Sequence, residues 1–401
     1  MATPAQRTNT WTLDEWYDQS VAGTQGSYVG VPGLYIWGNN LHGQLGQNNL
    51  TKYSSPVQLP GTTWKEVALS GSYGSGMATK TDGTLWVWGH AMYGGWLGLN
   101  QPTNTHLSSP TQIPGTTWEV PRGGGGAAAM KTDNSLWVWG GLFQGQLGLN
   151  QAFPGGSVVR YSSPIQLSGT TWDTGFQKFS TGATTMGAVT TEGKLLTWGR
   201  NDIGQLGINK NSARSSPTQV GTDTNWDKVD MGFYFGLATK TDGTLWGFGQ
   251  NGNGQLGQNT TNSPGNHGLS SPVQIPGTNW ATAISDLGAG VIATKTDGTA
   301  LAWGSNTYGR LGQNNNTGYS SPVQIPGNGW RTDATHGIIY SSLVTKTNGS
   351  LWAWGSNNFG QQGVNDRTTR SSPIQVPGTW TQAYVGGRNA DGRTSAGLKK
   401  S

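Results

Sequence analysis

Residues 78–89 read ATKTDGTLWVWG, and this stretch decides the fold. An Asp-Gly pair between two β-rich runs is a strong short-range signal of a β-hairpin, whose two-residue turn needs positive φ at both central residues. The run after the turn is apolar on both faces, since Leu85 and Val87 alternate with two tryptophans. A strand buried on one side alternates apolar with polar residues, so we expect this strand in a sheet packed between two others.

Outward from this stretch, four markers recur seven times in the same order, at intervals of roughly 50 to 60 residues. The first is a Trp-Gly pair, replaced once by Phe-Gly, followed by a Gly-x-x-Gly turn, a Ser-Ser-Pro and a lone tryptophan. The glycine of the pair stands at Gly38, Gly89, Gly140, Gly199, Gly249, Gly304 and Gly355. Units of this length that form small antiparallel sheets, each packed on both neighbours, describe a β-propeller. The fold class is therefore all-β, with seven blades.

The two ends of the repeat region predict how the ring closes. After Trp380 the chain runs to SAGLKKS and stops where a hairpin turn is due, whereas the missing following strand, GLYIWG, stands at 33–38. We expect the N- and C-terminal strands to share one blade, which leaves no unpaired strand to invite aggregation. The predicted domains are an arm at 1–32 and a seven-repeat propeller at 33–401.

The unit DG-x-LW-x-WG-x-N-x-x-GQLG, followed by a proline-containing loop, resembles the repeat of the regulator of chromosome condensation family over residues 33–401. The resemblance implies a seven-bladed propeller. It also implies functions that diverge within the family: guanine-nucleotide exchange on a small GTPase, chromatin binding, β-lactamase inhibition by a bacterial member, and other binding roles. The chain departs from the eukaryotic pattern, because GSYGSGMA, GFYFGLA and HGIIYSSLV replace the usual Gly-x-x-His-Ser segment. A basic N-terminal tail is also missing, since Arg7 is the only basic residue in 1–32.

The composition excludes several protein classes. Charged residues make up 11% of the chain, against roughly a quarter in an ordinary globular protein, which argues against a solvated helical protein. The 20 tryptophans argue against disorder, because disordered chains are poor in aromatic residues. The sequence contains no run of about 18 apolar residues that would predict a membrane-spanning helix. Cysteine is absent, so disulfides and cysteine-ligated metal sites are excluded.

The charge distribution disfavours nucleic-acid binding. The net charge is +5, but the 24 lysines and arginines are scattered, and the nearest approach to a cluster is in the C-terminal tail at Arg388, Arg393, Lys399 and Lys400. A nucleic-acid protein usually shows a basic stripe with a reader motif. The N-terminus carries no apolar core of the signal-peptide kind, which predicts a chain made in a cytoplasm and not exported by that route.

No local pattern points to catalysis, a metal or a cofactor, so none is expected. The five histidines, none of them in an HExxH or His-x-His pattern, are His42, His90, His106, His267 and His336. The sequence has no G-x-S-x-G elbow and no Walker loop. The Asp-Gly carboxylates are interpreted as turn residues. The lysines before the turns are interpreted as solvated strand residues; they are Lys80, Lys131, Lys240, Lys295 and Lys346.

Residues 1–32 lie outside the repeat and predict a short helical arm. Thr12 and Glu15 fit a capping box, and Trp11 with Trp16 fits a hydrophobic staple, so a helix from Leu13 to about residue 20 is expected. The residues proposed to anchor the arm are Trp11, Leu13, Trp16 and Tyr17. Two interpretations stay open: the helix docks on a partner, or it covers its own propeller.

Aromatic residues that break the register of the repeat are the candidate partner-binding anchors. They occupy the second Gly-x-x-Gly loop and the variable stretches before the hairpins: Tyr73, Tyr93, Trp96, Phe233, Tyr234, Phe235 and Tyr340. Aromatic side chains on loops at a propeller face suit protein contacts. The alternative is that they fill the core where a repeat is irregular.

Low charge, richness in Gly, Asn, Thr and Gln, and missing cysteine favour a non-enzymatic structural propeller on a virion, in the tail or capsid of a tailed bacteriophage. Its partners would be other virion proteins or a host surface receptor. The alternative is a bacterial protein-binding or inhibitor propeller in the cytoplasm or at the cell surface. Nucleotide exchange ranks third because no exchange residue can be matched, and an enzyme ranks last.

Overall fold

A computed structural model describes residues 33–399, apart from 71–73, 92–94, 103–104, 143, 152–158, 170–171, 262–267, 286–288, 333–336, 339 and 388–392. The predicted arm lies outside the described residues, as do Tyr73 and Tyr93. Seven four-stranded antiparallel sheets confirm the seven-bladed all-β propeller. In the part of the chain that is described, no helix is long and apolar enough to cross a bilayer.

The blades are numbered around the ring from the one that holds both chain ends. Blade 1 contains β27 (Trp380–Gly386), β28 (Thr394–Lys399), β1 (Gly33–Gly38) and β2 (Tyr53–Gln58), and blade 2 contains β3 (Trp64–Leu69), β4 (Ser75–Lys80), β5 (Leu85–His90) and β6 (His106–Ile113). Blade 3 contains β7 (Trp118–Gly123), β8 (Ala127–Lys131), β9 (Leu136–Leu142) and β10 (Val159–Gln166). Blade 4 contains β11 (Phe179–Thr181), β12 (Thr185–Val189), β13 (Leu195–Gly199) and β14 (Arg214–Gln219).

The remaining three blades repeat this order. Blade 5 contains β15 (Trp226–Met231), β16 (Phe235–Lys240), β17 (Leu245–Gly249) and β18 (Leu269–Ile275). Blade 6 contains β19 (Trp280–Ser285), β20 (Gly290–Lys295), β21 (Ala300–Gly304) and β22 (Tyr319–Gln324). Blade 7 contains β23 (Gly337–Ile338), β24 (Ser341–Thr345), β25 (Leu351–Gly355) and β26 (Arg370–Val376). A 3-10 turn at Thr307–Gly309 lies between β21 and β22.

Closure of the ring follows the prediction. β1 pairs with β28 in register from Gly33 opposite Lys399 to Gly38 opposite Thr394, and β28 pairs with β27 on its other edge. The first strands of neighbouring blades, such as β3 and β7, contact each other around the ring, so they lie nearest to its axis. The last strand of the chain, β28, is thus the second strand of blade 1 and has a hydrogen-bonded neighbour on each edge.

The hairpin turns are tight, but they differ from the prediction in one respect. In the turn after β4, Gly83 alone has positive φ, at 77°, and its N–H donates to the Lys80 carbonyl over 3.0 Å. This is a three-residue loop with a left-handed glycine, and the prediction of positive φ at both central residues was wrong. Asp82 instead accepts hydrogen bonds from the Thr84 hydroxyl and N–H, at 2.7 and 3.0 Å, which lower the pKa of Asp82.

The recurring markers are explained by contacts between neighbouring blades. In six blades the buried tryptophan of the Trp-Gly pair donates its indole N–H to a carbonyl in the Gly-x-x-Gly loop of the preceding blade, over 2.7–3.0 Å. The donors are Trp37, Trp88, Trp139, Trp198, Trp303 and Trp354. Blade 5 has Phe248 at this position, which packs without a donor. The tryptophan and the Gly-x-x-Gly turn therefore recur together because they form one contact between neighbouring blades.

A second set of contacts links the same loops to the Ser-Ser-Pro strands. An asparagine with left-handed backbone follows each Gly-x-x-Gly, and its N–H donates to a serine carbonyl of the next blade over 2.6–2.9 Å. The donors are Asn48, Asn100, Asn150, Asn209, Asn259, Asn314 and Asn365. The last of them donates to Ser54 in blade 1, so this chain of contacts also closes the ring.

The lysines before the turns are not simply solvated, which corrects the prediction. Lys80 Nζ lies 4.7 Å from the ring centroid of Trp64 and 4.4 Å from that of Trp86. Equivalent cation–π contacts, to one tryptophan or two, involve Lys131, Lys240, Lys295 and Lys346. Each lysine extends its apolar stem along the indole faces while its ammonium remains near water.

Candidate functional site

One face of the ring carries the loops between third and fourth strands, such as 39–52 and 305–318, together with the loops between first and second strands. We name it the loop face. The other face carries the three-residue turns, such as 81–83 and 241–243. Because the turns are short and uniform while the loops vary in sequence, the loop face is where this chain differs from an ideal repeat protein.

On the loop face, five side chains from blades 6, 7 and 1 form a compact group that we name the tyrosine–arginine cluster: Tyr308, Arg310, Tyr340, Phe359 and Arg393. The guanidinium carbon of Arg393 lies 4.8 Å from the Tyr340 ring centroid and 5.7 Å from that of Phe359. Arg310 lies 5.0 Å from the Tyr340 ring centroid, and Tyr308 meets Tyr340 edge-on at 5.8 Å. Cationic groups and aromatic rings thus alternate across the seams between three blades.

The cluster has a buried side and a solvent-exposed side. Arg310 is 2% exposed and donates from Nη2 to the Ser305 hydroxyl over 3.1 Å. Tyr308 is 39% exposed and has φ of 64°, a left-handed backbone that is uncommon outside glycine and asparagine. Such strained conformations persist only where surrounding structure enforces them, and they concentrate at functional sites. The exposed Tyr308 and the buried Arg310 thus both contact Tyr340.

Arg393 lies immediately before β28, and its backbone carbonyl accepts the Asn39 N–H over 2.9 Å. Its Nη1 donates weakly to the Ser356 hydroxyl at 3.4 Å. Its Nε is buried and has no hydrogen-bond partner among the described residues. Arg393 as a whole is only partly buried, so its guanidinium adds a positive charge to this part of the loop face.

The predicted anchors Phe233 and Tyr234 also lie on the loop face, both half-buried, with ring centroids 4.0 Å apart. Arg200 lies 5.0 Å from the Tyr234 ring centroid, but it forms a bidentate pair with Asp202 at 2.7 and 2.5 Å. Hydrogen bonding to Arg200 lowers the pKa of Asp202, so the carboxylate is ionised at neutral pH. Arg200 therefore already has its anion.

Two predicted anchors are core residues. Trp96 is 6% exposed, and its carbonyl accepts the indole N–H of Trp139 over 2.7 Å. Phe235 is 1% exposed and packs against Leu256 and Trp280 in the core between blades 5 and 6. Neither side chain is open to a partner, so the prediction is corrected to its alternative, core filling. Tyr340 is the predicted residue that belongs to the tyrosine–arginine cluster.

Sequence reasoning missed Tyr308 and Phe359 because they do not break the repeat. Both occupy the position directly before Gly-x-x-Gly, where the other blades carry His42, Gly94, Gln144, Ile203 and Asn253. Reading that one position down the seven repeats would have identified two aromatic residues in adjacent blades. Arg310 is similarly the arginine of the GRLG variant.

Polar side chains link the first strands of neighbouring blades, which lie nearest to the axis of the ring. Arg122 Nη1 lies 3.7 Å from Glu66, and the Tyr384 hydroxyl donates to the same carboxylate over 2.9 Å. Asp230 accepts hydrogen bonds from Ser285 N–H and hydroxyl at 2.6 and 2.5 Å. These contacts join the first strands of different blades to one another.

Asp230 makes the stability of the ring pH-dependent in an unusual direction. Burial of its carboxylate outweighs the serine hydrogen bonds and raises the pKa of Asp230. The cost of burying the charge is therefore fully present above the raised pKa and disappears as pH falls from that pKa towards about 4, the pKa of the unfolded chain. As pH falls through this interval, we expect the free energy of unfolding of the wild type to rise relative to that of Asp230→Asn. Urea denaturation at several pH values measures the difference, and a relative loss on acidification would contradict the assignment.

Three histidines that are distant in sequence, His42, His90 and His106, meet where the blade 1 loop packs on blade 2. Among the described residues they are the group of nitrogen or carboxylate ligands placed closely enough to hold a metal ion. They lie in a different part of the loop face from the tyrosine–arginine cluster, which lies across blades 6, 7 and 1.

Two family models match this chain, and both describe the same repeat. The model of the regulator of chromosome condensation (RCC1) repeat matches residues 33–74, 192–238, 242–286, 297–336 and 348–390, more than half of the chain. A second model of the same repeat matches residues 226–255.

Similar proteins include the ultraviolet-B receptor UVR8 of Arabidopsis thaliana, 29% identical over 191 residues, which are 46% of this chain and 41% of the receptor. The chain therefore spans less than half the length of that relative. The mitochondrial RCC1 domain-containing protein RUG3 of Arabidopsis thaliana is 27% identical over 380 residues, covering 86% of this chain and 82% of RUG3. The crystal structure of Prp20p from Saccharomyces cerevisiae, studied for its binding to Gsp1p and histones, superposes with a TM-score of 0.76 at 16% identity, covering 96% and 95% of the two chains.

Proposed function

Because the chain belongs to the regulator of chromosome condensation (RCC1) repeat family, we propose that it is a protein-binding propeller that holds its partner on the loop face through the tyrosine–arginine cluster. A ring of this fold in yeast binds proteins, as described for Prp20p with Gsp1p and histones. That likeness is one of fold, so it supports the mode of action and leaves the partner open.

The observation that carries the proposal is the exposed ring of Tyr308, which packs edge-on against Tyr340 while the buried Arg310 contacts the same tyrosine. Tyrosine and arginine are enriched among the few residues that dominate binding energy in protein interfaces. Here the Tyr308 ring is 39% exposed and has an edge-on contact with Tyr340, so it is both held by a neighbour and accessible to a partner.

The chemistry of the cluster defines the partner's contact segment. The partly buried Arg393 guanidinium lies beside Tyr340 and Phe359, and Lys52 Nζ lies 5.2 Å from the Phe359 ring centroid. Two cations beside exposed aromatic surface suit a segment that brings a carboxylate next to an apolar or aromatic side chain. We therefore propose an acidic, partly apolar segment of a protein as the ligand.

The test compares Tyr308→Ala with wild type and with Tyr234→Ala as a matched control on the same face. A protein captured by the wild-type chain is purified, and its Kd for all three chains is measured by calorimetry. Loss of a central aromatic anchor is expected to weaken binding by about 2 kcal/mol or more, roughly 30-fold, while the control changes Kd little. Equal affinity of the wild type and Tyr308→Ala would reject the cluster as the binding site.

Attachment to a virion, the role of the predicted arm and the absence of enzymatic activity stay predictions, resting on composition and on missing sequence motifs. Nucleotide exchange is the alternative that the family brings. A release assay with a labelled guanine nucleotide on a panel of small GTPases separates it from simple binding.

A further inference from the structure

The three histidines at the seam between blades 1 and 2 are brought together by the fold. His90 ends β5 and His106 begins β6, and the two are direct cross-strand partners with ring centroids 4.3 Å apart. His42 comes from the Gly-x-x-Gly loop of blade 1 and lies 4.7 Å from His90 and 5.0 Å from His106 by the same measure. One ligand nitrogen from each residue can be chosen so that all three lie within 4.8 Å of one another.

The loop of blade 1 has little freedom to move away from blade 2. Gly43, next to His42, packs so closely that an added Cβ would lie 2.7 Å from the Cα of Ser108. Two residues of the same loop also reach blade 2: the Asn48 N–H donates to the Ser108 carbonyl over 2.6 Å, and the Gln44 carbonyl accepts the Trp88 indole N–H over 2.8 Å. The backbone therefore holds His42 against the His90–His106 pair independently of any ligand.

This grouping does not follow from the repeat. The position of His42 carries no histidine in the other blades, and the positions of His90 and His106 carry none either. Three of the five histidines of the chain thus stand at three non-equivalent repeat positions that meet at one seam. Framework packing would not place them there, because every other seam is built without them.

We propose that His42, His90 and His106 bind a divalent transition-metal ion, with zinc as the expected occupant, which joins the blade 1 loop to blade 2. This inference goes beyond the protein-binding function and revises the expectation of no metal, which considered only local sequence patterns. Imidazole nitrogen is a preferred ligand of Zn²⁺ at about 2.0–2.1 Å, and three histidines with an open fourth position form a recognised zinc geometry. His106 is exposed, so the fourth position faces solvent, where water or a partner's side chain can enter.

Metal binding requires a change in the orientation of the three rings. The rings now stack, with interplanar angles of 14° to 29°. A metal lies in the plane of each ring that it binds, so rotation about the side-chain torsions is the adjustment that binding requires.

The experiment uses the full chain without a histidine tag, dialysed against a chelator and then titrated with Zn²⁺ in a calorimeter and with Co²⁺ by visible absorption. We expect one ion per chain and cobalt d–d bands of a low-coordinate nitrogen site. His42→Gln and His106→Gln, both at positions that are not buried, are each expected to weaken Zn²⁺ binding at least ~10-fold. They avoid the folding risk of changing the buried His90.

A double variant, His267→Gln with His336→Gln, removes the remaining histidines and is the matched control. It is expected to bind Zn²⁺ like the wild type, and the same Zn²⁺ concentration should raise the Tm of both by more than that of His106→Gln. Unchanged Zn²⁺ affinity in His42→Gln and His106→Gln, or affinity lost in the double variant, would overturn the proposal. A chain that does not bind Zn²⁺ could still lose partner affinity in Tyr308→Ala, so the two experiments test the two proposals separately.

Discussion

Removing residues 394–401 is expected to abolish cooperative folding of the whole ring. β28 lies between β27 and β1, with six pairs of Cα partners on the β1 side, from Gly33 opposite Lys399 to Gly38 opposite Thr394. Its Ala396 and Leu398 are buried in the core between blades 1 and 2. The truncated chain would lose two hydrogen-bonded ladders and expose two strand edges, a loss comparable to the whole stability of a typical domain, about 5–15 kcal/mol.

The matched control removes only residues 400–401. Thermal unfolding followed by circular dichroism should show one sharp transition for the control and none, or a broad one, for the longer deletion. A sharp transition at an unchanged temperature in both proteins would mean that the ring does not depend on closure by its C-terminal strand.

Replacement of a tryptophan that joins two blades is expected to have the second largest effect. Trp303 is fully buried and donates its indole N–H to the Gln255 carbonyl of the preceding blade over 2.9 Å. Trp303→Ala should reduce the free energy of unfolding by about 3–5 kcal/mol through the cavity that it leaves. Trp303→Phe keeps most of the volume but leaves that carbonyl without its donor, so a cost of about 1–3 kcal/mol is expected.

The control is Trp352→Phe, in the neighbouring blade. Trp352 is half-buried and donates only within its own hairpin, to Ser350, so its replacement should cost less than that of Trp303. Urea denaturation measures all three variants. If Trp352→Phe were as destabilising as Trp303→Phe, the hydrogen bond between blades would contribute no more to stability than one within a hairpin.

The fold was predictable because its signals are repeated and local. An Asp-Gly turn followed by Leu-Trp-x-Trp-Gly specifies one hairpin, and seven copies specify a ring. Even closure could be read, since the strand missing at the C-terminus stands at 33–38. The error in the turn conformation arose because Asp-Gly fits both a two-residue and a three-residue loop, and only the backbone at Asp82 distinguishes them.

The candidate site was predictable only in part, and for a physical reason. Aromatic residues that depart from the repeat pattern include Tyr340, which belongs to the cluster. They also include Phe235 and Trp96, whose side chains are buried in the core. Tyr308 does not interrupt the repeat pattern. It belongs to the cluster because it contacts Tyr340 of the next blade, and the sequence of a single repeat does not show such a contact. The histidines illustrate the same limit, because His42 and His106 meet only when two blades pack together.

Hydrogen–deuterium exchange of the chain, with and without its purified partner, shows whether the loop face holds that partner through the tyrosine–arginine cluster. We expect peptides spanning 305–311 and 356–362 to become protected on binding, and Tyr308→Ala to remove this protection. Protection confined to the turns of the opposite face, such as 241–244, with none at 305–311, would contradict it.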